Sequence, residues 1–174
     1  PVFNRRCEVV ASYSHMHLYA YYGCDEDKFV SRGSTPVMVE LDGVKYGLTI
    51  CYDIRFPELY RAYMKAGAEV LVNCAAWGSK KPVPWEMMTK SRAIENQSYM
   101  VALTQSGYIE NGEYNLGESR IISYNGEEVA SIMSGVGIAT GVLNLDEMYE
   151  FRQKSPTIKD IRESYEVKQL CKNC

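Results

Sequence analysis

No apolar run in this chain approaches the roughly 18 residues that a membrane-spanning helix requires, and no basic-then-apolar leader opens it. Neither sign of charge dominates. Lys and Arg number 19 against 22 Asp and Glu in 174 residues, a net charge of −3. Such a chain lacks the basic footprint of a nucleic-acid or anionic-membrane binder, so neither is an expected partner. Internal repeats, low-complexity tracts and linkers are also absent, and the length suits one domain over residues 1–174. What is present, 46% hydrophobic and 24% charged residues, supplies a packed core and argues against disorder. The expected location is cytoplasmic.

Histidine is scarce as well, with only His15 and His17. In Tyr13-Ser-His-Met-His17 they alternate as on a strand and face opposite sides, so they cannot complete a four-ligand zinc site with Cys171-x-x-Cys174. No metal is expected. The six cysteines, at 7, 24, 51, 74, 171 and 174, are scattered, which disfavours a disulfide framework. Pro1 is not an initiator methionine, and residues 1–13 read as a turn feeding a strand already under way, so an N-terminal truncation is expected.

Residues 37–41 and 45–50 are short β-rich runs joined by Asp42-Gly43, a dipeptide that favours a tight hairpin. Pro57 suits a first helical turn and Gly67 ends the helix. Glu69–Trp77 is an apolar run of the kind buried on both faces of a parallel sheet. A second helix is predicted from about Pro84 to Asn96, then a strand over 99–105. This βαβ construction implies parallel strands. Antiparallel strands are expected near 117–123, 127–133 and 136–145, with Asn125-Gly126 as a turn and a short helix opening at Asp146. The fold class is α/β.

Cys51 stands out. It ends a strand and precedes a helix, a position that exposes a side chain at the carboxyl edge of a sheet. Helical N–H groups aimed at its sulfur favour thiolate, so Cys51 is expected to be the most thiolate-like of the six. The competing reading is a small buried hydrophobe, which is also the reading for Cys74.

Gly47-Leu-Thr-Ile-Cys-Tyr-Asp-Ile-Arg-Phe-Pro-Glu58 resembles the nucleophile segment of the nitrilase superfamily, the carbon–nitrogen hydrolases, and within it the amidase-like branch that includes ω-amidase. Four further segments agree in order. Tyr13-x-x-x-His17-Leu18 resembles the stretch holding the family's lysine, and Glu26-Asp-Lys-Phe-Val-Ser-Arg-Gly33 its following glutamate stretch. Asn73-Cys-Ala-Ala-Trp77, with Trp85 and Ser91-Arg-Ala-Ile-Glu-Asn-Gln97, resembles the strand and helix after the nucleophile. Asn115-Leu-Gly-Glu-Ser-Arg-Ile-Ile122, then Asn125-Gly126, resembles the late hairpin. The resemblance implies an αββα sandwich, homodimeric in the full-length form, that hydrolyses a small-molecule amide without a cofactor.

It also implies roles. Cys51 would attack the amide carbon and form a thioester that water releases. The Tyr52 backbone N–H, with the family's lysine, would stabilise the oxyanion. Glu26 matches a second glutamate that orients the lysine or assists proton transfer, or else it is a solvated loop acid. The lysine position is held here by His15, which either donates to the oxyanion or is an inert replacement. The general-base glutamate would lie on a segment before residue 1, so the chain resembles the C-terminal two-thirds of a family member. Arg55 and Trp77 are assigned to the substrate pocket; the alternatives are pairing of Arg55 with Glu58 or Glu95, and a core position for Trp77. Arg92 and Glu95 are expected to pair along a helix. The function implied is hydrolysis of a small linear amide to acid and ammonia. The alternative is a catalytically impaired fragment or pseudoenzyme that serves binding or assembly.

Overall fold

In a computed structural model describing residues 1–109 and 112–170, the chain opens with strands β1 (Val2–Phe3) and β2 (Val9–Ala11). They pair antiparallel, and Cys7 turns the chain between them with a φ of +60°. The segment from 12 to 18 is irregular, so His15 and His17 do not lie on a strand as expected. Next come β3 (Met38–Leu41) and β4 (Val44–Ile50), a single 3-10 turn over Cys51–Arg55, helix α1 (Pro57–Lys65), β5 (Val70–Ala75), α2 (Pro82–Asn96) and β6 (Tyr99–Thr104). The remainder is β7 (Ser106–Tyr108), β8 (Tyr114–Leu116), β9 (Ser119–Ile122), β10 (Glu128–Ile132) and α3 (Leu145–Lys154).

Six strands form the main sheet in the order β10-β9-β6-β5-β4-β3. Its centre is parallel, with Tyr46 opposite Val70, Ile50 opposite Cys74, and Val70 opposite Tyr99. Both parallel connections are helical, as the βαβ pattern predicts. Asp42 and Gly43 adopt φ of +51° and +80°, the left-handed pair that a two-residue hairpin requires. Pro57 opens α1 and Gly67 follows its end, as expected; α2 starts two residues early, at Pro82, and ends on Gln97 at φ +47°. Asn144 caps α3 by accepting the Glu147 N–H at 3.3 Å, which puts Asp146 in the first turn.

The two faces of the sheet differ. Leu71, Ala75, Met100 and Ala102 pack against Ile54, Tyr60, Tyr63 and Trp85 from the helical side. The fit there is close: a Cβ on Gly47 would lie 2.7 Å from the Tyr63 ring. Tyr63 in turn donates to the Leu48 carbonyl at 2.6 Å and accepts the Val37 N–H at 2.9 Å. On the opposite face α3 covers only one end, where Met148 meets Val70 and Tyr99. Beyond it Cys74 and Leu103 are exposed, and Val39, Leu48, Ile50 and Val72 line an open apolar groove of about 400 Å³. Glu69–Trp77 is therefore not buried on both faces, and Cys74 is not a buried hydrophobe.

Two expectations about the late strands are corrected. No strand forms over 136–145; glycines at 135, 137 and 141 interrupt its apolar residues, and Val136, Ile138 and Val142 are exposed. The segment 117–123 starts its strand only at Ser119, after Gly117 at φ +74°. A hairpin between β7 and β8 stands where no strand pair was foreseen.

Burial raises the phenol of Tyr63 to about 12, and burial first of all lifts Tyr60 and Tyr13 further still. Each neutral phenol contributes stability that is complete below the ordinary value near 10 and lost as pH rises through its folded value. The denaturant midpoint is thus expected to hold to about pH 9 and fall between about pH 10 and 12, with part of the tyrosinate absorbance appearing only on unfolding. Complete tyrosinate absorbance from a chain still folded at pH 11 would contradict this.

Candidate active site

Cys51 sits where β4 ends, and its φ of +44° is a left-handed conformation that a non-glycine side chain enters at a cost of roughly 1–3 kcal/mol. The turn that follows is 3-10, and α1 begins only at Pro57. Burial pushes the Cys51 thiol up to about 11. The backbone N–H groups of Ala76 and Tyr52 work against this, and the Glu26 carboxylate adds to it. The expectation of a ready thiolate is therefore overturned: a short turn supplies too little positive potential to offset desolvation. A thiol in this place needs a base.

One cavity of about 540 Å³ is lined by Cys51, Glu26 and His15 together with Thr104, Gln105 and Ser119. Glu26 is not a solvated loop acid. It is half-buried, and its Oε2 accepts the Tyr19 N–H at 2.8 Å. His15 is 9% exposed and its Nδ1 has no hydrogen-bond partner. Its carbonyl accepts the Gly33 N–H at 2.9 Å, an approach so close that a Cβ on Gly33 would lie 2.0 Å from the Ser14 carbonyl oxygen.

A narrower cleft of about 70 Å³ leads from Cys51 between Tyr19, Tyr52, Arg55, Trp77 and Lys81. Arg55 has no carboxylate partner among the described residues; its guanidinium stands 5.3 Å from the Trp77 ring and 5.9 Å from the Tyr52 ring. The alternative pairing with Glu58 or Glu95 is not found, since Glu95 binds Arg92 at 2.8 Å, as its helical spacing predicts. Trp77 is both wall and core: it is buried against Trp85 at 5.2 Å and donates from Nε1 to the Lys81 carbonyl at 2.7 Å. Trp85 is core alone, fully buried and bonded to the Glu118 carbonyl.

Sequence reasoning missed three participants. The Ala76 N–H beside the sulfur carries no residue-type signal, because any non-proline residue supplies one. Lys81 donates from Nζ to the Tyr19 hydroxyl at 3.0 Å and lies over the rings of Tyr19 and Tyr22; its signal was a lysine pair just past a parallel strand. Asp53 was read only as part of a motif. It is fully buried and accepts from Ile50 N (3.0 Å), Tyr13 Oη (2.7 Å), His17 N (3.1 Å) and His17 Nδ1 (2.8 Å). Among the described residues no group of three or more His, Cys, Asp or Glu is placed to hold a metal; Cys171 and Cys174 lie outside them.

A parallel-centred sheet that presents a strained cysteine, a carboxylate and paired backbone N–H groups at its carboxyl edge defines an α/β protein with an enzyme-like cleft. The sequence matches the family described as Carbon-nitrogen hydrolase over residues 2–153, and the chain belongs to that family. It is 35% identical over 161 residues to a 2-oxoglutaramate amidase of Bacillus subtilis, covering 92% of this chain and 61% of that protein. It is 34% identical over 157 residues to a deaminated glutathione amidase of Escherichia coli O157:H7, covering 88% and 58%. Among solved structures, the C. elegans NitFhit protein superposes with a TM-score of 0.82 at 30% identity, covering 87% of this chain and 39% of that one. Saccharomyces cerevisiae Nit3, a member of the nitrilase superfamily, gives 0.80 at 26% identity, covering 88% and 55%. The chain thus spans about three-fifths of the length of the amidases it matches. Among the described residues no helix is long and apolar enough to cross a membrane.

With a thiol held near 11, roughly one molecule in 10⁴ carries the Cys51 thiolate at pH 7. Exposed Cys7 and Cys74 are therefore expected to react with iodoacetamide ahead of Cys51 at neutral pH. Cys51 labelling should climb about tenfold per pH unit up to about pH 11. Peptide mass mapping reads this directly, and Cys51 labelled first at pH 7 would contradict the burial argument.

Proposed function

We propose that this chain is the nucleophile-bearing part of an amidase, one domain that converts a small linear amide to its carboxylic acid and ammonia. The observation that carries the reading is the single cavity lined by Cys51, Glu26 and His15, with two backbone N–H groups at the sulfur. The Cys51 thiol gives up its proton to a carboxylate, Glu26 or one supplied by a longer chain, and the sulfur bonds to the amide carbon. The developing oxyanion accepts from the Tyr52 and Ala76 N–H groups, with His15 in the place of a cationic partner. The carbon–nitrogen bond breaks, ammonia leaves with the transferred proton, and water hydrolyses the thioester to acid and free thiol. Trp77 and Arg55 wall the substrate cleft. The names of the two amidases above support an amide substrate, and family resemblance supports a cytoplasmic homodimer in a longer form.

A second reading has its own observation. Where the family carries lysine this chain has His15, a shorter side chain with an imidazole in place of an ammonium. A binding or assembly role for an impaired member fits that exchange and the open apolar sheet face.

The test is ammonia release from glutamine-like and succinamate-like amides, with Cys51→Ala as the blank. The chain joined to a relative's N-terminal segment is expected to exceed the chain alone by about 10²–10⁴, the usual worth of a general base. His15→Lys should add to it. Release that Cys51→Ala leaves unchanged overturns the proposal, and failure of every form to release ammonia favours the second reading.

A further inference from the structure

Asp53 lies two residues beyond Cys51, fully buried, with no lysine or arginine paired to it among the described residues. Its four hydrogen bonds fall into two groups. The bond from the Ile50 N–H closes the turn in which Cys51 holds its left-handed φ. The other three grip both ends of the segment Tyr13–His17: the Tyr13 hydroxyl at one end, the His17 N–H and Nδ1 at the other. His15 is the middle residue of that segment. The His17 ring also lies flat on Phe56, with centroids 3.6 Å apart and planes within 11°, so the segment is tied twice to the chain that follows the nucleophile. His15 itself makes no ring hydrogen bond at Nδ1, so nothing on that nitrogen holds the imidazole in place. Its placement comes from the segment that carries it.

We infer that Asp53 is a positioning residue: a single carboxylate holds the Cys51 turn and the His15 segment in one fixed relation, so that thiol and imidazole open on the same cavity. The catalytic meaning of this placement rests on the proposed role of Cys51. The placement itself is geometric and is tested without turnover.

The chain has two histidines, so its imidazole spectrum holds two rings, and His17→Asn assigns them. Cys51 is alkylated to completion with iodoacetamide at raised pH, and the two-bond ¹H–¹⁵N spectrum is compared before and after. A Cys51→Ala chain taken through the same treatment is the reference. The His15 ring is expected to shift on alkylation in the unmodified chain. In Asp53→Asn, which keeps the shape and loses one acceptor, that response is expected to be lost while circular dichroism and a cooperative melt persist. Should Asp53→Asn not fold, the His17 pair decides. His17→Asn keeps a donor where Nδ1 stood and should retain the response; His17→Phe keeps a ring on Phe56 without the donor and should lose it. A simple stabilising role for Asp53 lowers the melting temperature and leaves the coupling intact. A full His15 response in folded Asp53→Asn, or in His17→Phe, overturns the inference. Absence of Cys51-dependent turnover in every form, with the coupling present in the unmodified chain and lost in Asp53→Asn, would sink the hydrolase reading alone.

Discussion

A carboxylate taken wholly out of water has to be satisfied by donors or neutralised, because an isolated buried charge costs far more than a domain's net stability. Asp53 accepts four hydrogen bonds, from the Ile50 and His17 N–H groups, the Tyr13 hydroxyl and His17 Nδ1, and among the described residues no lysine or arginine is paired to it. Hydrogen bonds to a charged acceptor are the strong kind, and each fixes a direction as well as a distance. The end of β4, the Cys51 turn, the Tyr13–His17 segment and, through Phe56, the start of α1 are thereby committed to one arrangement. The strain in Cys51 is tolerable on those terms. Arg92 adds a further tie by donating from Nε to the Ile54 carbonyl at 3.0 Å, which fastens the far side of the same turn to α2.

The rest of the architecture delivers the strand ends to that point. Gly47 lets the Tyr63 ring lie against β4, and Thr49, Asn73 and Tyr60 close a buried polar cluster just below Cys51. Their mutual hydrogen bonds tie β4 to β5 and resist sliding of one strand against the other, with the Asn73 Oδ1 left without a partner. The other face obeys no such constraint. Its apolar residues between the N-terminal hairpin and α3 meet an open groove, and the cavity holding Cys51 opens on that side, next to Cys74 and Leu103. Whatever packs on that face also shapes the wall of the cavity.

Those parts of the fold set by one or two residues were legible in the sequence. Asp42-Gly43 makes its hairpin because that turn needs two positive φ values, and Pro57 and Gly67 bracket α1 for reasons of backbone chemistry alone. No strand forms over 136–145, where Gly137 and Gly141 raise the entropy cost of ordering an extended segment. The β7–β8 hairpin escaped notice because strands of three residues leave no period to detect. Cys51, Glu26, His15, Arg55 and Trp77 were all picked out by residue type or motif, and the fold draws them around two adjoining cavities. Ala76, Lys81 and Asp53 depend on tertiary geometry: an N–H direction, two aromatic faces, and donors that start up to 40 residues away.

The largest disagreement concerns charge. Strand-to-helix position argued for a thiolate at Cys51, whereas the folded environment favours the neutral thiol. Both effects are present, and their sizes decide between them. A helix terminus contributes about 0.3–1 kcal/mol at ordinary sites and acts through a full turn of aligned N–H groups. The turn after Cys51 is 3-10 and offers the sulfur only the Tyr52 N–H, with Ala76, just past the end of β5, adding another. Desolvation of a sulfur anion beside the Glu26 carboxylate outweighs those two donors. A cysteine kept neutral is protected from adventitious oxidation and alkylation, which act on thiolates. Under the proposed amidase reading it also places the burden of activation on the moment when a base and a carbonyl are both in the cavity. Under the proposed amidase reading, the same two N–H groups that fail to ionise the resting thiol are the donors for the oxyanion. On that reading the arrangement favours charge that develops during bond formation over charge held in advance.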